Sequence, residues 1–259
     1  MKHIDQHDGD EHPAPRGTIC LLPSILTTVS LFSGFYAIIS AVNGNFFHGA
    51  VAILVSALFD GLDGRVARMT GTASRFGMEY DSLCDLVAFG VAPAVLAYLW
   101  TLDAYGRYGW LAAFLYVATT ALRLARFNTQ DATSVSKEFT GLPCPAAACM
   151  IATSIFFCLF VDAGSPVKDF GMLVLVYTLS YLMVSTHRYL SFKHPETTIV
   201  KAFHVLVGMV LVIILIATEP QITLFFVLLL YVVSGPLTGL FRLLFKEKKT
   251  VHESGKLAE

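Results

Sequence analysis

The chain has 259 residues, of which 55% are hydrophobic and only 14% charged, whereas ordinary soluble domains carry about a quarter charged residues. With a mean hydropathy of +0.65, this excludes a typical soluble domain. The net charge of -1 gives no reason to expect a nucleic-acid partner.

The first 20 residues read as a polar tail, rich in His and Asp between His3 and His12. Residues 1–18 have no apolar centre, so no signal peptide is expected, and a solvated tail suits them better than a metal site. A helix of about 20 apolar residues crosses a bilayer core. Eight segments meet that pattern, near 22–42, 46–68, 79–101, 108–126, 143–163, 167–186, 200–218 and 221–241. The expected fold is therefore an all-α integral membrane protein. Cys20, Cys84, Cys144, Cys149 and Cys158 show no metal-ligand spacing and read as packing residues.

Basic residues orient the spans. With a cytoplasmic N-terminus, 16 of the 18 Lys and Arg fall on the cytoplasmic side, leaving only Arg107 and Lys168 outside. That asymmetry follows the positive-inside rule and puts both termini in the cytoplasm. Residues 242–259 form a second cytoplasmic tail, basic from Lys246 onward and suited to anionic headgroups.

The segment DGLDGRVARMTGTASRFGMEYDSLCD, Asp60 to Asp85, carries the chemistry. Ionisable residues in membrane helices are costly and usually functional. At about 100° per residue, Asp60, Asp63, Gly64, Ala67 and Arg68 share one side of the second span. Asp81 and Asp85 are four apart and share one side of the third, with Gly77 in phase. A short connection makes the two helices antiparallel neighbours, with two carboxylate pairs facing one cleft. Four close carboxylates repel, and one or two divalent cations would compensate them. Oxygen ligands suit Mg²⁺, Mn²⁺ or Ca²⁺. Gly64 leaves room for a substrate to approach, and Arg68 can hold a phosphate in two-point contact. Ser74 and Thr72 add hydroxyls. Asp81, near the start of its helix, could instead cap it.

This segment resembles the signature of the CDP-alcohol phosphotransferases, D-x-x-D-G-x-x-A-R followed by G-x-x-x-D-x-x-x-D. Asp60, Asp63, Gly64, Ala67, Arg68, Gly77, Asp81 and Asp85 fill it without departure. The resemblance implies a six-helix core, usually in a homodimer, to which this chain adds about two helices. It implies metal ligation by Asp60, Asp63, Asp81 and Asp85, with Asp85 also the general base. Gly64, Arg68 and Ser74 would contact the CDP-linked donor. On this reading residues 21–193 form the catalytic core and 194–241 the additional helices.

Three further runs resemble the membrane-embedded phosphatidylserine synthases within that family: LRLARFN (Leu122–Asn128), GLPCPAAA (Gly141–Ala148) and LMVSTHRYLSFK (Leu182–Lys193). They imply CDP-diacylglycerol as donor, L-serine as acceptor and a site at the cytoplasmic face of the cell (inner) membrane. Where relatives often have Pro-Asn in the first span, this chain has Pro23-Ser24. Arg123 and Arg126 are three apart, so either could bind a serine carboxylate or a donor phosphate. Arg126 is favoured by the family run, and Asn128 could receive the amino group. Positive-inside flanking explains Arg123 equally well. The alternatives are the same chemistry on choline, glycerol phosphate or inositol, and a cation transporter. A transporter would place its carboxylates near the midplane and leaves Gly64, Ala67 and Arg68 unexplained.

Overall fold

A computed structural model of the chain describes residues 21–70, 74–129, 141–161, 166–185, 208 and 218–237. Among these the regular structure is helical, with no strand. In chain order run α1 (Leu21–Val42), α2 (Phe46–Thr70), α3 (Arg75–Asp85), a π-helical turn (Leu86–Val91), α4 (Ala92–Trp100), a 3₁₀ turn (Leu102–Tyr105), α5 (Arg107–Thr129), α6 (Cys144–Phe160) and α7 (Pro166–Val184). A last helix, α8, spans Pro220–Leu237.

Four stretches among the described residues are long and apolar enough to cross a membrane: Pro23–Val42, Phe46–Thr70, Phe76–Trp100 and Pro220–Leu237. The third includes α3, the π turn and α4. Helix α6 and Phe170–Val184 are apolar but shorter. Helix α5 has the length but is less apolar, because it carries Arg107, Arg123, Arg126 and Asn128. Seven of the eight predicted segments thus coincide with helices, within a few residues at each end. The segment predicted at 200–218 lies outside the described residues except for Gly208 and Thr218, as do the tails at 1–20 and 242–259.

Lipid is as apolar as leucine, so membrane helices associate through small residues and interhelical hydrogen bonds. The α1–α2 hairpin uses both. Ala37, Ala41, Ala50 and Ala52 are buried between apolar neighbours. Ser30 Oγ donates to Ser56 O at 3.1 Å, Ser56 Oγ donates back to Ser30 O at 2.9 Å, and Ser33 Oγ donates to Ala52 O at 2.8 Å. The hairpin turns through Gly44, whose φ of 74° favours glycine. Large side chains such as Phe32, Phe35, Leu83 and Leu230 point outward, as expected of helices facing hydrocarbon.

Helix α1 packs on α2, α3, the π turn and α4. At its tightest crossing, a Cβ on Gly34 would come within 2.6 Å of Ala88 Cα in the π turn. On the opposite side, Gly90 of the same turn faces Thr120 of α5. The turn immediately follows Asp85, so these two glycines fix the backbone that carries one wall of the acidic cluster. Helix α2 meets this span at α4 and the π turn, and its Asp60 and Asp63 lie beside Asp81 of α3.

Replacing Gly34 by leucine should destabilise the protein by about 1–3 kcal/mol, the usual cost of overpacking, as a lowered melting temperature in detergent. Gly171→Ala, where an added Cβ meets nothing within 4 Å, should leave it unchanged.

Candidate active site

The last turns of α2 carry Asp60 and Asp63 toward the third span. Asp63 is buried at 5% exposure, and Asp60, Asp81 and Asp85 are half-buried. Carboxylate oxygens of Asp60, Asp63 and Asp81 all lie within 4.8 Å of one another. The Asp85 carboxyl sits against that of Asp60 within hydrogen-bonding range. The four aspartates singled out by helical phase therefore converge on one place.

The donor set fits a hard divalent cation. It is all oxygen, and its spread approaches the roughly 4–5 Å that separates oxygens across one cation with metal–oxygen bonds of about 2.1–2.5 Å. Asp81 Oδ1 is buried without a hydrogen-bond partner. Buried polar atoms are normally paired, so an oxygen without a partner among the described residues, on a carboxylate of this cluster, is suited to a cation. Asp63 Oδ2 instead accepts from Thr27 Oγ1 at 2.9 Å.

Ser74 is the N-cap of α3. Its Oγ accepts from Gly77 N at 3.0 Å, which satisfies an otherwise unpaired helix-end donor. Asp81 is the seventh residue of α3, so the capping role considered for it belongs to Ser74. A Cβ at Gly77 would meet Ser74 Oγ at 3.1 Å, whereas one at Gly64 would meet nothing within 4 Å. Open space thus borders Gly64, beside the aspartates. Arg68 is exposed and folds back along α2, its Nε donating to Gly64 O at 2.8 Å. Thr72 lies outside the described residues.

The acceptor-side candidates separate. Arg126 is exposed. Asn128 Nδ2 donates to Glu79 Oε2 at 3.2 Å and to Ser82 Oγ at 3.0 Å, which ties the end of α5 to α3. Arg123 is half-buried. Its Nη1 donates to Cys144 Sγ at 3.5 Å, and its Nε is buried without a partner among the described residues. Cys144 belongs to the GLPCPAAA run and lies within electrostatic reach of Asp85. The run's Gly141 has φ 85°, and a Cβ there would meet Met183 O at 2.6 Å. Leu142 N donates to Leu182 O at 3.1 Å. This run therefore seats α6 on the end of α7 and brings Cys144 to Arg123. The LMVSTHRYLSFK run lies outside the described residues beyond Ser185.

The family model described as CDP-alcohol phosphatidyltransferase matches residues 20–184. The chain belongs to this family. Among curated members, the CDP-diacylglycerol–serine O-phosphatidyltransferase of Helicobacter pylori strain 26695 is 36% identical over 245 residues, covering 91% of this chain and 99% of that protein. The enzyme of the same name from Mycobacterium leprae is 39% identical over 170 residues, 64% of this chain and 56% of its own. The archaetidylserine synthase of Methanothermobacter thermautotrophicus is 40% identical over 134 residues, 51% and 56% of the two chains. Helix α8 lies beyond the matched residues, whereas all four aspartates lie within them.

The motif did not point to Thr27. A signal was nevertheless present: Thr27, Ser30 and Ser33 recur every three residues in an otherwise apolar span, the pattern of a helix face that hydrogen-bonds to a neighbour.

Asp63→Asn or Asp81→Asn should weaken Mn²⁺ binding at least about tenfold, since even outer partners of metal ligands cost 10–100-fold when lost. Titration followed by electron paramagnetic resonance measures this. Asp103→Asn, in the exposed 3₁₀ turn, should leave binding unchanged.

Proposed function

We propose that this chain transfers the phosphatidyl group of CDP-diacylglycerol to the hydroxyl of L-serine, giving phosphatidylserine and CMP. The carrying observation is three carboxylates within 4.8 Å, at the family's own motif positions, in a chain 36% identical to a serine transferase over nearly its whole length.

Asp60, Asp63, Asp81 and Asp85 would hold Mg²⁺ or Mn²⁺, with Ca²⁺ the remaining hard-cation choice. Such an ion, when bound, neutralises charge on the phosphoryl oxygens. The residues of the chain do the rest. Asp85 takes the proton from the serine hydroxyl. The serine oxygen forms a bond to the phosphorus bearing diacylglycerol, and the bond from that phosphorus to the CMP oxygen breaks. Gly64 gives the donor access to the α2 backbone, and the Ser74 hydroxyl, which accepts from Gly77 N, retains its own proton to donate to a phosphate. Arg68 would swing from Gly64 O to the phosphates and stabilise their charge.

For the acceptor, Arg126 and Asn128 are the family-run candidates. Arg123 has the stronger physical claim, because its buried Nε has no partner and a carboxylate would supply one. Asn128 is already held by Glu79 and Ser82.

The site belongs at the cytoplasmic face of the cell (inner) membrane, with both termini cytoplasmic. This matches the basic flanks and the position of all four aspartates near the ends of their spans. Residues 21–193 would form the six-helix core, and 194–241 would complete eight membrane helices in a homodimer.

Purified protein given CDP-diacylglycerol, Mn²⁺ and a panel of alcohols should release CMP with serine in strong preference to choline, inositol or glycerol phosphate. Preference for another alcohol would reassign the acceptor, and ion flux without CMP release would overturn the enzyme reading. Asp85→Asn should lower turnover by more than about a hundredfold, as expected for a general base, while donor binding persists. Arg123→Gln should raise KM for serine more than Arg126→Ala does.

A further inference from the structure

Two neighbouring threonines of α1 reach into the two helices that carry the acidic cluster. Thr27 is buried at 5% exposure, and its Oγ1 donates to Asp63 Oδ2 on α2 at 2.9 Å. Thr28 Oγ1 lies 3.0 Å from Tyr80 Oη on α3, one residue before Asp81. The serine contacts of the α1–α2 hairpin, Ser33 to Ala52 and Ser30 to Ser56, precede this contact along the same pair of helices.

The Thr27 hydroxyl has one proton. Its alternative acceptor is Pro23 O at 3.0 Å, the carbonyl one turn back in its own helix. That carbonyl is neutral and available to any helical threonine. An ionised carboxylate is the stronger acceptor, so the bond to Asp63 is the one that counts when the cluster is charged. Holding Oδ2 restrains the plane of the Asp63 carboxylate, which joins Asp60 and Asp81 in the shared centre.

We propose that Thr27 is a positioning residue for the cation site, setting the orientation of Asp63 through its hydroxyl; this rests on the cation reading given above. It contributes affinity for the divalent ion without touching substrate. Outer hydrogen-bond partners of metal ligands typically change affinity by about 10–100-fold, so a Thr27 variant without the hydroxyl should fall in that range.

The test compares Thr27→Val, which keeps the shape and removes the hydroxyl, with Thr27→Ser, which keeps the hydroxyl. Mn²⁺ binding to the purified full-length protein in detergent is followed by electron paramagnetic resonance, with Asp63→Asn and Thr178→Val alongside. Thr178 Oγ1 bonds Val174 O of its own helix at 2.7 Å, so that variant controls for loss of a threonine hydroxyl in general. The expected result is Mn²⁺ affinity about tenfold or more weaker in Thr27→Val, near wild type in Thr27→Ser and unchanged in Thr178→Val. The Mn²⁺ concentration for half-maximal turnover should rise in parallel, with kcat largely recovered at saturating Mn²⁺.

Wild-type affinity in Thr27→Val, with Asp63→Asn impaired, overturns the role of Thr27 and leaves the cation site standing. Equal binding by wild type and Asp63→Asn overturns both. If Thr27→Val cannot be recovered folded, Thr27→Ala is read by the same criteria.

Discussion

Four carboxylates held together at the ends of two membrane helices are the constraint around which this molecule is built. Charges of one sign at such range, partly withdrawn from water, oppose their own assembly. Something must force the helices together, and something must compensate the charge. Packing of α1 against both acidic spans does the first. On the proposed reading a divalent cation does the second, and the buried Asp81 Oδ1, unpartnered among the described residues, is where that requirement is most visible.

Helix α1 contributes no carboxylate, yet it touches each part of the third span and pairs along α2. Its close approaches depend on small residues: Gly34 against the π turn, and Ala37 and Ala41 in the hairpin. Its polar residues hydrogen-bond across to α2 at three successive levels, Ser33 to Ala52, Ser30 with Ser56, and Thr27 to Asp63. In hydrocarbon each such bond contributes only modestly, so their value lies in setting register. A shift of one residue would rotate Asp60 and Asp63 together away from Asp81. The π turn after Asp85 serves the same end from the opposite wall.

The sequence made much of this legible because the chemistry is written in local spacing. Asp60 with Asp63, and Asp81 with Asp85, are separated by about one helical turn, so each pair shares a helix face by the helix repeat, and the short connection between the helices suggests that the two faces meet. Helices were equally readable from apolar length, although among the described residues only four stretches are long and apolar enough to cross a membrane, α5 falling short through its arginines and α6 and α7 through their length. Contacts between distant segments were less accessible. The bonds from Thr27 to Asp63 and from Asn128 to Glu79 and Ser82 depend on how helices far apart in sequence are laid side by side. Arg123 and Arg126 could not be told apart by spacing. Only the folded chain shows one half-buried beside Cys144 and the other exposed. Ser74 was singled out for phosphate, and the fold adds its capping of α3.

The most direct measurement is the anomalous scattering of Mn²⁺ in crystals of the protein grown with that ion. A manganese peak bounded by Asp60, Asp63 and Asp81 is the predicted result. Strong peaks elsewhere, with those carboxylates turned apart or paired with lysine or arginine, would contradict it.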